Sequence, residues 1–124
     1  MNTSGSTLAY LGDAVWSLLV REYLILQGEG KGDSLQKKSV TYVSAKAQAS
    51  FYDALHAQNF FKQQEEEYFK RGRNAHTGSV PHHTSVSIYR KSTGFEAIIG
   101  ALKLENNWDR IEEIWCKVKT LKEE

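Results

Sequence analysis

Two acidic side chains sit where a helix is expected to bury only apolar ones, and any fold open to this chain has to accommodate both. Asp13 lies in Leu8-Ala9-Tyr10-Leu11-Gly12-Asp13-Ala14-Val15, and Glu96 in Ser92-Thr93-Gly94-Phe95-Glu96-Ala97-Ile98-Ile99-Gly100-Ala101. An unpaired charge in such a run is expelled to water or neutralised. One arrangement satisfies both acids at once: folding brings them together around a divalent cation. Magnesium takes oxygen ligands and keeps several waters, so one or two carboxylates plus substrate phosphate oxygens suffice. Gly12, Gly94 and Gly100 would let two helices approach closely, offsetting the ~1 kcal/mol that each glycine costs a helix relative to alanine. The competing reading is that each acid meets its own buried basic or hydroxyl partner.

The remaining pattern is helical throughout, which predicts an all-α fold. Leu8, Leu11, Val15, Leu18, Leu19 and Glu22 follow the i, i+3, i+4, i+7 spacing, so a helix is expected from Thr7 to about Gln27. Ser6 or Thr7 can cap its start and Gly28 can end it. Asp33 or Ser34 is expected to cap a second long helix carrying Leu35, Val40, Val43, Ala47, Phe51, Ala54 and Leu55. A third spans about Gln63 to Asn74, with Glu65, Glu66 and Glu67 near its start and Lys70, Arg71 and Arg73 near its end. That polarity suits the helix dipole, and the acidic triplet reads as a solvated face. Ala75 to Ser85, with Gly78 and Pro81, reads as an exposed loop. A fourth helical region starts near Val86, Asn106-Asn107 interrupts it, and a last amphipathic helix carries Trp108, Ile111, Ile114, Trp115, Val118 and Leu121.

At 124 residues the chain is expected to form a single domain, 1–124. No apolar run approaches the ~20 residues of a membrane span. Met1 to Ser6 has neither the positive flank nor the apolar core of a signal peptide, so a cytosolic protein with no membrane partner is expected. Cys116 has no second cysteine to pair with, and Ile114, Trp115 and Val118 around it predict a half-buried helix position.

A net charge of +1 gives no argument for a nucleic-acid partner, but its distribution does. Between Glu67 and Glu96 there is no acid, while Lys70, Arg71, Arg73, Arg90 and Lys91 are basic and His76, His82 and His83 lie in the same stretch. That is the electrostatic footprint of a polyanion site. The histidines fit no zinc-ligand spacing.

The two acidic segments resemble the signature elements of the ribonuclease III catalytic domain, whose Leu-Gly-Asp-Ala core and second, glutamate-bearing element hold the catalytic metal. Val43-Ser44-Ala45-Lys46-Ala47-Gln48-Ala49 and Lys70-Arg71-Gly72-Arg73-Asn74-Ala75 are similar to segments of the minimal branch, Mini-ribonuclease III. The resemblance spans nearly the whole chain. It implies the ribonuclease III endonuclease-domain helical fold, a two-fold homodimer, and no double-stranded-RNA-binding domain after the last helix. It also implies hydrolysis of double-stranded RNA to 5′-phosphate and 3′-hydroxyl ends.

By position, Asp13 and Glu96 would be the catalytic residues and the ligands of Mg2+, with Mn2+ as the alternative ion. Tyr10 falls where larger relatives place an aromatic at the dimer interface. Those relatives carry further acids where this chain has Ala9 and Thr93; the minimal branch also lacks those acids. Lys46, Arg71, Arg73, Asn74, His76, His82, His83, Arg90 and Lys91 are the candidate RNA contacts. The implied substrate is the large-subunit (23S) ribosomal RNA precursor, in a bacterial cytoplasm or a plastid stroma. Two rival expectations stand beside this one: an inactive RNA-binding or ribosome-assembly module of the same fold, and a plain helical interaction domain.

Overall fold

Ser4 sets where the chain first becomes helical. Its backbone stays extended and its hydroxyl accepts the Thr7 N–H at 3.2 Å, so the first turn begins ahead of Ser6 and Thr7. The computed structural model describes residues 2–28, 30–75 and 85–123. Among them it has six helices and no strand: α1 (Gly5–Leu26), α2 (Gly32–Val43), α3 (Ala45–Ala57), α4 (Gln63–Arg73), α5 (Val86–Leu104) and α6 (Trp108–Glu123). The expected all-α class holds. Gly28 ends the first helical stretch at φ +93°, in the left-handed region that favours glycine.

The expected second long helix is two helices. Ser44 interrupts it with extended angles (φ −63°, ψ 155°), and its side chain accepts the Ala47 N–H at 3.1 Å. A serine in mid-run offers the backbone a cap instead of another turn, and here the cap prevails. The break leaves the Tyr42 carbonyl free to accept the Trp16 indole N–H at 2.9 Å. Trp16 also meets Phe95 and Trp115 edge to face, at 4.9 and 5.2 Å between ring centroids. The kink between α2 and α3 is thereby tied to the aromatic core.

Helix α5 runs through the middle, against α1, α3, α4 and α6. From Ser92 to Leu102 every residue except Glu96 is buried, so this helix is apolar nearly all round, as a central helix must be. Its contact with α1 is backbone on backbone. A Cβ on Gly12 would lie 1.8 Å from the Glu96 carbonyl oxygen, and one on Gly100 would lie 1.8 Å from that of Leu8. Gly94 serves a different neighbour, since a Cβ there would meet the Phe69 ring of α4 at 2.5 Å.

Three further expectations change. Glu65 is buried, not on a solvated face: its carboxylate accepts from Arg110 Nε and Nη2 at 2.8 and 2.9 Å and from the Lys62 N–H at 2.9 Å. Arg110 also donates to the Phe60 carbonyl at 2.8 Å and stacks on the Phe60 ring, locking α6 to the turn before α4. Charge repetition in Glu65-Glu66-Glu67 conceals which of the three faces inward. Cys116 is exposed, because α6 presents Ile111, Ile114, Trp115 and Val118 to the core and turns the cysteine outward. Leu18 and Val40, assigned to apolar stripes, also remain on the surface.

Replacing Gly100 by alanine forces α1 and α5 apart, because the obstructing atoms are backbone and cannot swing aside. Gly100→Ala should lose about 3 kcal/mol or more in urea denaturation. A parental midpoint would mean that the helix contact is looser than described.

Candidate active site

The α1–α5 contact that excludes a Cβ at Gly12 puts the next residue, Asp13, beside Glu96. Both acids line an open cleft of about 290 Å³ with Ser6, Ala9, Tyr10, Tyr89 and Thr93. Their environments differ. Asp13 is exposed despite its apolar run, whereas Glu96 is mostly covered. Burial, then a hydrogen bond to Asp13, then the charge of Asp13 push the Glu96 carboxyl up to about 9 from its ordinary 4.5. A hydrogen bond from the Gln48 amide pulls the other way. Two carboxyl groups can share a hydrogen bond only by holding a proton, and at neutral pH Glu96 carries it.

A divalent cation would fit this arrangement. The donors are hard oxygens, no cationic side chain among the described residues lines the cleft with them, and the shared proton marks where a divalent ion would relieve the same repulsion. Among the described residues no third His, Cys, Asp or Glu completes a larger ligand set. Two carboxylates plus substrate phosphate oxygens meet the minimum for magnesium. Ala9 and Thr93 both border the cleft without adding charge, and the Thr93 hydroxyl donates to the Tyr89 carbonyl at 3.1 Å.

The expected RNA contacts divide. A Cβ on Gly5 would meet the Arg71 carbonyl at 2.1 Å, so the C-terminal end of α4 abuts the start of α1 at the edge of the cleft. Arg71 and Arg73 lie over the Tyr68 and Phe69 rings at 5.6 and 5.7 Å, and Arg73 Nε donates to Asn74 Oδ1 at 3.2 Å. Arg90 is exposed next to the cleft residue Tyr89. Lys91 forms an ion pair with Asp53 at 3.0 Å. Lys46 lines a separate hollow with Lys122 and Phe51, away from the acids. His76, His82 and His83 lie outside the described residues. Tyr10, the expected interface residue, is 84% exposed at the rim of the cleft.

Sequence reasoning missed Gln48, which is buried on α3 with its Nε2 3.4 Å from Glu96 Oε2. A signal was present. Gln48, Phe51, Tyr52 and Leu55 repeat at i, i+3, i+4, i+7, so a lone amide stands on an otherwise apolar stripe.

With this geometry in hand, comparison with known proteins is decisive. Residues 6–107 match the ribonuclease III domain. The chain belongs to the ribonuclease III family. It is 41% identical over 115 residues to the Mini-ribonuclease 3 of Enterococcus faecalis, covering 91% of this chain and 87% of that protein. It is 43% identical over 115 residues to the Mini-ribonuclease 3 of Staphylococcus aureus, covering 93% and 86%. The crystal structure of a protein from Fusobacterium nucleatum superposes with a TM-score of 0.85 at 33% identity, covering 94% of this chain and 93% of that one. With the family comes the activity class, endoribonuclease.

The Glu96 carboxyl makes a prediction about pH. Its folded value lies above the unfolded one, so it contributes stability that is complete below about 4.5 and is lost as pH rises through about 9. In chelator, the protein should lose stability across that window, and Glu96→Gln should flatten the loss and melt about 4 °C or more higher at pH 8. Identical melting curves for the two proteins from acid to pH 8 would contradict the buried, protonated Glu96.

Proposed function

We propose that this protein is a magnesium-dependent endoribonuclease that cuts both strands of an RNA duplex, working as a homodimer of single-domain protomers. The observation that carries the reading is the Asp13–Glu96 pair, brought together on two packed helices at an open cleft. Asp13 and Glu96 would hold the ion. When bound, it lowers the pKa of a water and stabilises charge on the scissile phosphate, giving 5′-phosphate and 3′-hydroxyl ends.

The chain's own groups do the rest. Glu96 would release its proton to solvent when a cation takes the proton's place. Asp13, on the solvent side, would hold the ion where a phosphate can reach it. Two carboxylates balance the charge of one divalent ion, and Ala9 and Thr93 add none. Arg71 and Arg73 at the end of α4, with Asn74 and Arg90 beside them, suit backbone phosphates along an A-form duplex, whose deep, narrow major groove favours recognition by shape.

One cleft cuts one strand, so two cuts call for a second copy related by a two-fold axis. Helix α1 offers a surface for it: Tyr10, Leu18 and Ile25 are 84%, 59% and 60% exposed on one side, with Val40 of α2 at 46%. Exposed apolar side chains grouped in this way mark a contact surface. The resemblance to the minimal branch favours a stem of the large-subunit ribosomal RNA precursor as the natural substrate.

With Mg2+, the parent protein should cut a duplex that reproduces such a stem, and cut it faster than an unrelated duplex of equal length. EDTA or Asp13→Asn should abolish cutting. Dimers of one parent and one Asp13→Asn protomer should nick only one strand. Binding without cleavage by the parent would leave an inactive RNA-binding module, and double-strand cutting by the mixed dimers would refute one site per strand. Separately, Arg71→Ala with Arg73→Ala should weaken duplex binding and reduce the slope of log affinity against log salt by about 0.7–0.9 per lost phosphate contact. An unchanged slope would remove these arginines from the interface.

A further inference from the structure

Helix α3 buries Phe51, Tyr52 and Leu55 on one side, and Gln48 extends that side by one turn. A fully buried amide is costly unless it is hydrogen-bonded, so its presence there needs a partner and a reason. The partner is Glu96, whose Oε2 faces Gln48 Nε2 at 3.4 Å. Water has no access to replace this contact, because Gln48 is only 1% exposed.

We propose that Gln48 is a positioning residue: by donating to Oε2 it fixes the orientation of the Glu96 carboxyl, so that the other oxygen is directed to the Asp13 side of the cleft, where a divalent cation would bind. This rests on the cation-binding reading of the Asp13–Glu96 pair. The residue type supports it. Lysine or arginine in this place would neutralise Glu96 and compete with the cation. Glutamate would add a third carboxylate to a pair that already repels. Leucine would fill the space and leave the carboxyl free to rotate. The amide donates a hydrogen bond without changing the charge of the site, and it is long enough to reach Glu96 from α3.

The support for Gln48 is also rigid. Ser44 caps α3 one turn earlier, and one turn later Tyr52 stacks on Phe69 of α4 at 3.6 Å between centroids. A carboxylate held by a donor on a packed helix keeps its rotamer, and such supporting contacts tune metal affinity as strongly as some ligands do.

Mg2+ titration by calorimetry of the full chain without RNA tests this, with the parent, Gln48→Leu and Asp13→Asn in parallel. Gln48→Leu should weaken Mg2+ binding by about 10–100-fold. In cleavage assays it should lower kcat at limiting Mg2+, recover at high Mg2+, and leave KM for the RNA within about twofold. A residue that served only the fold would shift thermal stability and leave Mg2+ affinity alone. If Gln48→Leu does not fold, Gln48→Met keeps the length and removes the donor, with the same expectation. Parental Mg2+ affinity in the folded variant, alongside loss in Asp13→Asn, overturns the role of Gln48 alone. Parental affinity in Asp13→Asn as well overturns the cation reading and the Gln48 proposal together.

Discussion

The close approach of α1 and α5 is the contact on which the remaining geometry depends. Gly12 and Gly100 leave no Cβ between the two backbones, and each would otherwise strike a carbonyl oxygen of the opposite helix. Helix axes separated by ordinary side chains lie ~8–10 Å apart, and residues flanking the contact splay outward. Removing two side chains from this seam draws Asp13 and Glu96 into hydrogen-bonding range although they are far apart in sequence. The glycines lower the intrinsic stability of both helices. Packing of Leu8, Trp16, Phe95 and Ile99 around the seam offsets that loss.

The same molecule treats two glutamates, one buried and one mostly covered, in opposite ways. Glu65 accepts two hydrogen bonds from Arg110 and one from the Lys62 backbone, and Arg110 in turn satisfies the Phe60 carbonyl. That pair has all the partners a buried charge requires, and it fastens α6 to the start of α4. Glu96 faces a second carboxyl and one neutral amide, with no basic group among the described residues paired to it. A fold that supplies an arginine to one glutamate and withholds it from the other leaves the second available for binding. Such unresolved electrostatics are expected at functional sites, where stability yields to chemistry.

Legibility in the sequence followed the range of the physics involved. Helix periodicity, the Gly28 stop, the Asn106-Asn107 break and the Asp13 and Glu96 elements are local patterns, and each was readable from neighbouring residues. The Ser44 cap is local too, but serine in mid-helix and serine as cap look alike until tertiary contacts decide; here the Trp16 indole on the Tyr42 carbonyl favours the break. Glu65 and Glu66 carry the same charge one residue apart, and only Arg110, forty-five positions away, identifies the inward one. Gln48 was legible as an anomaly on an apolar stripe, though its partner was not. Leu18 and Val40 fit an apolar period and yet stay outside, because periodicity alone cannot tell a core position from an exposed apolar one.

That last ambiguity ties the surface to the site. Tyr10 belongs both to the cleft lining and to the exposed apolar side of α1, so a partner covering that side would also wall the cleft. Tyr10 and Asp13 are three residues apart, less than one helical turn, so both border the same stretch of the cleft. A second copy seated along α1 would therefore reduce solvent around Asp13 and strengthen its attraction for a cation. Dimer formation and metal loading would then reinforce one another through a single short stretch of helix. On the proposed reading, the catalytic aspartate and the interface tyrosine share a turn because the same α1 surface serves both.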